Sequence, residues 1–278
     1  MSKFAVFSDV DGTIYPFPGK HLDPKTSSYV EKLAQKDVPF VINTGNGPYP
    51  KIQKLADKLN ARYIICSNGA LIFDNQKKEI LNLELLPLTE AKKVFDLAKE
   101  TGVGLYYFGT HQYYLHLYSE QFLNFITEFC EYDQWITDGR LNEDMHKIEI
   151  YGDLDKLDLF YQKALEQKIN LNICKLDRHI EITKSGVSKG TGIKWLCDNV
   201  FGAKLEDVMA IGDSQNDISM FKMVGYPYAM ENADSYTRSF AKYYTSTVEQ
   251  LGLIEAIEDY LYRVDFDLKR AISQQKAK

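Results

Sequence analysis

Two aspartates, Asp9 and Asp11, follow a short apolar segment near the beginning of the chain, and Gly12 and Thr13 come directly after them. Two carboxylates this close repel one another unless a cation or a shared proton lies between them. Mg²⁺ suits such a site because it prefers oxygen ligands and keeps several of its waters. If the metal also holds a phosphate, one aspartate can attack phosphorus and the other can transfer protons. The alternative is an acidic turn whose aspartates hydrogen-bond their own backbone.

The aspartates stand at the end of the first of several apolar segments that the pattern predicts to be buried strands. The predicted elements alternate as strand 4–7, helix 26–36, strand 38–42, helix 51–59 and strand 63–66. This alternation predicts a parallel sheet covered by helices. Ligands bind at the carboxyl ends of the strands in such sheets, and Thr44 follows the second strand.

The pattern changes near Leu71, where the apolar segments 71–73 and 80–83 flank a polar turn at 74–76 and predict a hairpin. Predicted hairpins and helices are mixed between residues 85 and 183, which is typical of an α+β domain. From residue 184 the first pattern returns, with a strand at 208–211 and a final amphipathic helix at 248–262. We therefore predict an α/β fold, in which a Rossmann-like parallel-sheet core domain (1–84 plus 184–278) carries an inserted α+β domain (85–183).

The composition excludes several classes of protein. The 278 residues carry a formal net charge of −6, which gives no electrostatic reason to expect a nucleic-acid partner. The 4 cysteines are spread along the chain without a CxxC pair, which favours free thiols over a disulfide framework or a zinc site. No apolar segment approaches the roughly 18 residues that a membrane-spanning helix needs. The first apolar segment is too short for a signal peptide, so we expect a cytoplasmic protein.

Four motifs occur in a fixed order along the chain. They are DVDGT at 9–13, TG at 44–45, Lys189 within GVSKG, and GDSQND at 212–217. This ordered set resembles the haloacid dehalogenase-like phosphatases, and in particular the Cof-type branch, whose larger α/β cap is inserted between the second and third motifs. The segments SNGA (67–70) and AMENA (229–233) also resemble that branch. The resemblance covers essentially the whole chain and implies that the inserted domain is a cap.

The resemblance also implies roles for these residues. Asp9 would be the nucleophile and a metal ligand, and Asp11 the general acid and base, which also binds Mg²⁺ through its backbone carbonyl. Asp213 would be the third metal ligand. Thr44 and Lys189 would hold the phosphoryl oxygens, since a hydroxyl and an ammonium group both donate to developing negative charge. The supporting or phosphate-binding residues would be Gly12, Gly45, Asn46, Asn216 and Asp217.

Each of these residues also has a structural interpretation. Thr44 could cap a helix, Lys189 could be a solvated lysine at a helix start, and Asp213 and Asp217 could be turn acids. Their shared position at the ends of successive predicted strands favours the functional interpretation. The five histidines show no metal-binding spacing. The aromatic residues near 106–118 are interpreted as packing within the inserted domain, where a few rings could face a substrate.

One residue departs from the pattern of the branch, which commonly has Arg after Thr-Gly; here that residue is Asn46. The departure affects substrate recognition more than the chemistry, because Asn keeps hydrogen bonding but loses the charge. The main hypothesis is a Mg²⁺-dependent phosphatase for sugar phosphates or phosphorylated cofactors, acting as a monomer or weak homodimer. The alternatives are a phosphotransferase of the mutase kind and a non-catalytic metabolite-binding module.

Overall fold

The computed structural model describes residues 3–17, 19, 21–130, 135–137 and 140–276. The chain forms two compact units. The first comprises Met1–Ile42, Lys58–Arg62 and Ile193–Lys278, and the second comprises Asn43–Asp57 and Tyr63–Gly192. The domain limits expected at residues 84 and 184 stay a prediction.

The strands and helices follow one another along both units. The strands are β1 (Val6–Ser8), β2 (Phe40–Asn43), β3 (Tyr63–Cys66), β4 (Leu71–Asp74), β5 (Glu79–Leu83), β6 (Gly104–Phe108), β7 (Tyr113–Leu117), β8 (Trp135–Ile136), β9 (Lys147–Tyr151), β10 (Leu171–Lys175), β11 (His179–Lys184), β12 (Met209–Gly212), β13 (Tyr226–Ala229) and β14 (Tyr243–Tyr244). The α-helices are α1 (Pro24–Ala34), α2 (Pro50–Lys58), α3 (Leu88–Thr101), α4 (Glu120–Cys130), α5 (Leu154–Glu166), α6 (Lys189–Leu196), α7 (Ile218–Phe221), α8 (Ser235–Arg238) and α9 (Gly252–Lys276).

The first unit is built on parallel strands. β1 pairs with β12 on one side and with β2 on the other, and β12 continues through β13 to β14, all in parallel register. Every residue of β1 and β12 is buried, as expected for strands covered on both faces. The predicted α/β fold with a parallel-sheet core is therefore confirmed.

Helix α1 begins earlier than the apolar pattern predicts. Pro24 occupies its first position, where the missing N–H costs no hydrogen bond. Asp23 precedes it and accepts a hydrogen bond from the backbone N–H of Lys25 at 2.7 Å. The helix therefore starts at Pro24 with Asp23 as its cap, two residues before the predicted start at Thr26.

The second unit contains two sets of mainly antiparallel strands. β4 pairs with β3 and β5, and a separate six-stranded sheet has the order β10-β11-β9-β6-β7-β8. Helices α3 and α5 contribute apolar side chains to the core on one face of the six-stranded sheet, and an aromatic cluster fills another core of this unit. This mixture of antiparallel strands and helices agrees with the α+β character predicted for the middle of the chain.

Several elements differ from the predictions. α9 begins at Gly252, because the preceding Leu251 adopts a φ of 63°, and it continues to Lys276, well past the predicted end at residue 262. β8 and β14 were not predicted, since two residues are too few to show an alternating pattern.

Among the described helices, none has the length and hydropathy of a membrane-spanning segment. Cys66, Cys174 and Cys197 carry free thiols, whereas the side chain of Cys130 lies outside the described part.

Candidate active site

Three aspartates meet at the carboxyl ends of β1 and β12. Asp9 follows β1, and its backbone N–H donates to the carbonyl of Ile211 in β12 at 2.9 Å. Asp213 follows β12 directly, so these two side chains leave neighbouring parallel strands at the same edge. Carboxylate oxygens of Asp9, Asp213 and Asp217 lie within 4.8 Å of one another.

Polar neighbours orient the carboxylate of Asp213. Thr13 Oγ1 donates to Asp213 Oδ1 at 3.2 Å, and Asn232 Nδ2 donates to Asp213 Oδ2 at 3.0 Å. Asn232 also donates to the carbonyl of Gly12 at 3.0 Å. Gly12 has a φ of 84°, and a Cβ at this position would collide with the Asp213 carboxylate. The turn after β1 therefore leaves room for Asp213 only because residue 12 is glycine.

Asp217 shapes the loop that carries Asp213. Its Oδ2 accepts hydrogen bonds from the backbone N–H groups of Asp213 and Ser214, both at 2.9 Å. Ser214 and Asp217 form a capping box at the start of a short 3₁₀ helix, and Ser214 Oγ donates to Asn216 Oδ1 at 2.8 Å. Asp217 thus fixes the backbone at the position where the Asp213 side chain begins.

The aspartate group fits a divalent metal. A cation between three carboxylates this close would offset the repulsion of their charges, and their oxygens are the ligands that Mg²⁺ prefers. The side chain of Asp11 is not part of this group, and the Asp11 backbone forms an isolated bridge with Tyr15. Asp11 was expected to bind the metal through its backbone carbonyl and to transfer protons through its side chain, and both roles stay predictions.

Thr44, Gly45 and Asn46 form a turn in the second unit. The backbone N–H of Thr44 donates to the carbonyl of Ile65 at 2.8 Å, and the Thr44 side chain is buried. Thr44 Oγ1 accepts two hydrogen bonds from Asn46, one from its backbone N–H at 3.1 Å and one from Nδ2 at 3.2 Å. Asn46, which replaces the Arg common in the branch, is therefore tied to the Thr44 hydroxyl.

Lys189 is the first residue of α6 and is also buried. Its carbonyl accepts a hydrogen bond from Asn43 Nδ2 at 3.2 Å, which places the start of α6 beside the end of β2. The structure brings the carboxylates of Asp9, Asp213 and Asp217 together. The predicted residues divide between the two units: Asp9, Asp11, Gly12, Asp213, Asn216 and Asp217 lie in the first, and Thr44, Gly45, Asn46 and Lys189 lie in the second.

A buried ion cluster in the second unit was missed by the sequence analysis. Lys147 Nζ lies 2.5 Å from Glu149 Oε1 and 2.5 Å from Glu181 Oε1, and all three side chains are buried. Lys147 and Glu149 lie two residues apart on β9, and Glu149 pairs directly with Glu181 on β11. Opposed acids destabilise a sheet unless a cation lies between them, which is the position that Lys147 takes.

Electrostatic interactions within this cluster favour the charged forms of Lys147 and Glu181. Burial acts to lower the pKa of Lys147, but the charges of Glu149 and Glu181 outweigh it and raise that pKa above its ordinary value. Burial acts to raise the pKa of Glu181, but the Lys147 ammonium outweighs it and holds that pKa well below its usual range. The signal in the sequence was a Lys and a Glu two residues apart in an otherwise apolar strand, which places both on one face.

A second missed feature is a buried pair of Ser67 and His146. Burial lowers the pKa of His146 to about 4, so its ring is neutral at pH 7. His146 Nδ1 donates to the carbonyl of Asp144 at 3.2 Å, so Nε2, 3.0 Å from Ser67 Oγ, is the acceptor of the Ser67 hydroxyl. Ser67, Asn68 and Gly69 all have a positive φ.

The sequence matches a known family over most of its length. The family model described as haloacid dehalogenase-like hydrolase matches residues 6–257, which include every candidate residue discussed above.

Curated relatives match nearly the whole chain at low identity. The chain is 28% identical over 262 residues to the pyridoxal phosphate phosphatase of Escherichia coli strain K12. The alignment covers 87% of this chain and 92% of the relative. It is 23% identical over 286 residues to the 5-amino-6-(5-phospho-D-ribitylamino)uracil phosphatase of the same strain. This alignment covers 96% of this chain and 100% of the relative.

A solved structure described as a sugar phosphatase of HAD subclass IIB has the same fold. The two structures superpose with a TM-score of 0.82 at 22% sequence identity, covering 92% of this chain and 98% of the other. At this low identity, the similarity establishes the fold of the chain alone.

Proposed function

The chain belongs to the haloacid dehalogenase-like hydrolase family and is a phosphatase enzyme of it, and we propose that it hydrolyses phosphate monoesters of small metabolites through a Mg²⁺-dependent aspartyl-phosphate mechanism. The observation that carries this proposal is the approach of the Asp9, Asp213 and Asp217 carboxylates to within 4.8 Å. Like charges held this close are costly without a metal, and a hard cation makes their approach favourable.

Asp9 is the nucleophile in this mechanism. Its carboxylate attacks phosphorus, the bond to the leaving alcohol breaks, and an acyl phosphate forms on Asp9. Asp11 donates a proton to the leaving oxygen and later accepts one from the water that cleaves the acyl phosphate. Asp9, Asp213 and the backbone carbonyl of Asp11 would hold Mg²⁺. When bound, the cation would act as a Lewis acid and would neutralise charge on the Asp9 carboxylate and on the phosphate.

Other side chains hold the transferring group. The Thr44 hydroxyl and the Lys189 ammonium donate to the phosphoryl oxygens and stabilise the charge that grows there. Asn46 supports Thr44 through its two hydrogen bonds to Oγ1. Gly12, Gly45, Asn216 and Asp217 shape the turns from which the reacting side chains project.

We propose sugar phosphates or phosphorylated cofactors as the substrate class. A relative named for pyridoxal phosphate and a similar structure named as a sugar phosphatase support this class. Residues 85–183 would act as the cap that selects the substrate. A monomeric or weakly dimeric state and a cytoplasmic location complete the proposal, the latter supported by free thiols in a chain without disulfides among its described residues.

A panel of phosphorylated compounds tests this proposal. Hexose phosphates, pentose phosphates and pyridoxal phosphate are incubated with the protein in Mg²⁺ and in EDTA, and inorganic phosphate is measured. We expect release from at least one compound that EDTA abolishes and added Mg²⁺ restores. Release that EDTA leaves unchanged would contradict the metal requirement. Movement of phosphate between positions on a sugar, without release, would instead identify a phosphotransferase.

A further inference from the structure

Three successive carbonyl groups of the turn Thr44–Asn46 are each held by a separate donor. The hydrogen bonds are Asn68 N–H to the Thr44 carbonyl (3.1 Å), Lys147 Nζ to the Gly45 carbonyl (2.8 Å) and Ser67 N–H to the Asn46 carbonyl (2.9 Å). Two of these donors are backbone groups of a neighbouring turn. The third is a buried ammonium group carried by β9.

The Gly45–Asn46 peptide group connects Lys147 to Thr44. A peptide group is planar and trans, so its N–H points away from its carbonyl. Here the carbonyl accepts from Lys147 Nζ, and the N–H of Asn46 donates to Thr44 Oγ1 at 3.1 Å. The Lys147 ammonium therefore fixes the orientation of this peptide group, and this orientation directs the Asn46 N–H toward the Thr44 hydroxyl.

The Thr44 hydroxyl can then act only as a donor. A hydroxyl oxygen has two acceptor lone pairs and one hydrogen. Asn46 occupies both lone pairs, one with its backbone N–H and one with Nδ2 at 3.2 Å. The remaining hydrogen is free to bond an acceptor such as a phosphoryl oxygen.

Lys147 is held without freedom to turn away. An ammonium group has three N–H donors, and three acceptors surround Lys147 Nζ: Glu149 Oε1, Glu181 Oε1 and the Gly45 carbonyl. The second oxygens of the two carboxylates are also bonded, Glu149 Oε2 to the hydroxyls of Tyr106 and Tyr151 and Glu181 Oε2 to Asn68 Nδ2. The ammonium therefore lies in a fixed, fully hydrogen-bonded cage.

The side chains of Lys147 and Glu181 lie very close to the backbone of Gly45. A Cβ at residue 45 would lie 2.8 Å from Glu181 Oε1 and 3.1 Å from Lys147 Nζ. Only glycine lets the cluster come this near to the backbone.

We propose that Lys147 is a positioning residue for phosphoryl transfer, which orients the Gly45–Asn46 peptide so that the Thr44 hydroxyl donates to the phosphoryl oxygen. This inference rests on the proposed function, because the role of Thr44 does. A buried ion cluster adds little net stability compared with a packed apolar core, so its stabilising effect alone is a weak reason for its presence.

A double-mutant cycle tests the connection through Thr44, with p-nitrophenyl phosphate as substrate. Lys147→Met alone would leave two buried acids unpaired, so it is combined with Glu149→Gln and Glu181→Gln to give a neutral cluster. We expect this charge-balanced variant to remain folded and to lose about ten- to a hundred-fold in kcat/KM. In a Thr44→Val background the same three substitutions should cause less than about a two-fold loss, because effects on one acting unit are not additive.

A second readout separates positioning from general damage. Orthovanadate, which resembles the transferring phosphoryl group, should lose more affinity in the charge-balanced variant than inorganic phosphate does. Lys163→Met is the matched control, since Lys163 pairs with Glu100 on the surface, and it should change neither value. Equal losses in the Thr44 and Thr44→Val backgrounds would overturn the inference. A parent protein without Mg²⁺-dependent phosphate release would instead refute the proposed function.

Discussion

At the scale of single residues, Gly12 links the turn after β1 to the metal site. Its φ of 84° lies in the region that glycine adopts without strain, and its missing side chain leaves the space that the Asp213 carboxylate fills. The DVDGT motif thus contains one residue whose contribution is the absence of a side chain. Asp213, 200 residues after Thr13, occupies that space and accepts a hydrogen bond from Thr13 Oγ1.

We predict that Gly12→Ala abolishes most of the phosphatase activity while the protein stays folded. The new Cβ would displace the Asp213 carboxylate and so weaken the metal site, and we expect a loss of about a hundred-fold in kcat/KM. The assay is p-nitrophenyl phosphate hydrolysis across a Mg²⁺ titration, with circular dichroism to confirm folding.

Gly102→Ala is the matched control for backbone strain. Gly102 also has a positive φ, 68°, but a Cβ there would meet nothing within 4 Å. This variant should lose about 1 kcal/mol of stability and keep its activity. Equal activity losses at both glycines would contradict a specific collision with Asp213.

At the scale of elements, the turn Ser67–Gly69 depends on β9 and the residues just before it. Ser67 and Asn68 both adopt φ values near 50°, which cost energy for residues with side chains. The side chain of Ser67 bonds His146, and that of Asn68 bonds Glu181. These two contacts hold the strained turn whose N–H groups support Thr44 and Asn46.

We predict that His146 makes the protein less stable as the pH falls. Its ordinary pKa of 6.5 applies to the unfolded chain, whereas burial lowers it to about 4 in the folded protein. Between these values the unfolded chain binds more protons, so stability is complete above pH 6.5 and declines toward pH 4. The expected loss between pH 7 and pH 5 is about 2 kcal/mol, measured by urea unfolding at both values.

His146→Gln removes the titrating group but keeps an amide that can bond Ser67. Its loss of stability between pH 7 and pH 5 should be smaller than that of the parent by most of this amount. His111→Gln, at an exposed position of the β6–β7 turn, should behave like the parent. If both variants lose as much stability as the parent, His146 is not the group responsible.

The sequence predicted the strands that a local apolar pattern defines. It missed the contacts between residues that lie far apart along the chain. β1, β2, β3 and β12 begin and end within two residues of the predicted apolar segments, because buried strands show in the local pattern. The cluster of Lys147, Glu149 and Glu181 depends on the pairing of β9 with β11, about thirty residues apart, which no local pattern reveals. The partner of Asn46 was hidden for another reason, since two hydrogen bonds to Thr44 Oγ1 depend on the exact geometry of the turn.

At the scale of the whole molecule, the family match at residues 6–257 covers parts of both compact units. The first unit carries the aspartates of the proposed metal site, and the second carries Thr44 and Lys189. The ordered motifs therefore predicted the family without predicting how the chain divides into compact units. The names of two relatives give different phosphorylated compounds, which is why the substrate panel includes more than one class.

The location of the phosphoryl group during turnover is the measurement that tests the central claim most directly. The protein is mixed with Mg²⁺ and p-nitrophenyl phosphate, stopped with acid, digested and analysed by mass spectrometry. We predict one added phosphoryl group on Asp9, unchanged in the control Asp96→Asn, an exposed aspartate of α3, and absent in Asp9→Asn, which should also release no phosphate. A phosphoryl group on another residue, or undiminished phosphate release by Asp9→Asn, would contradict the proposed mechanism.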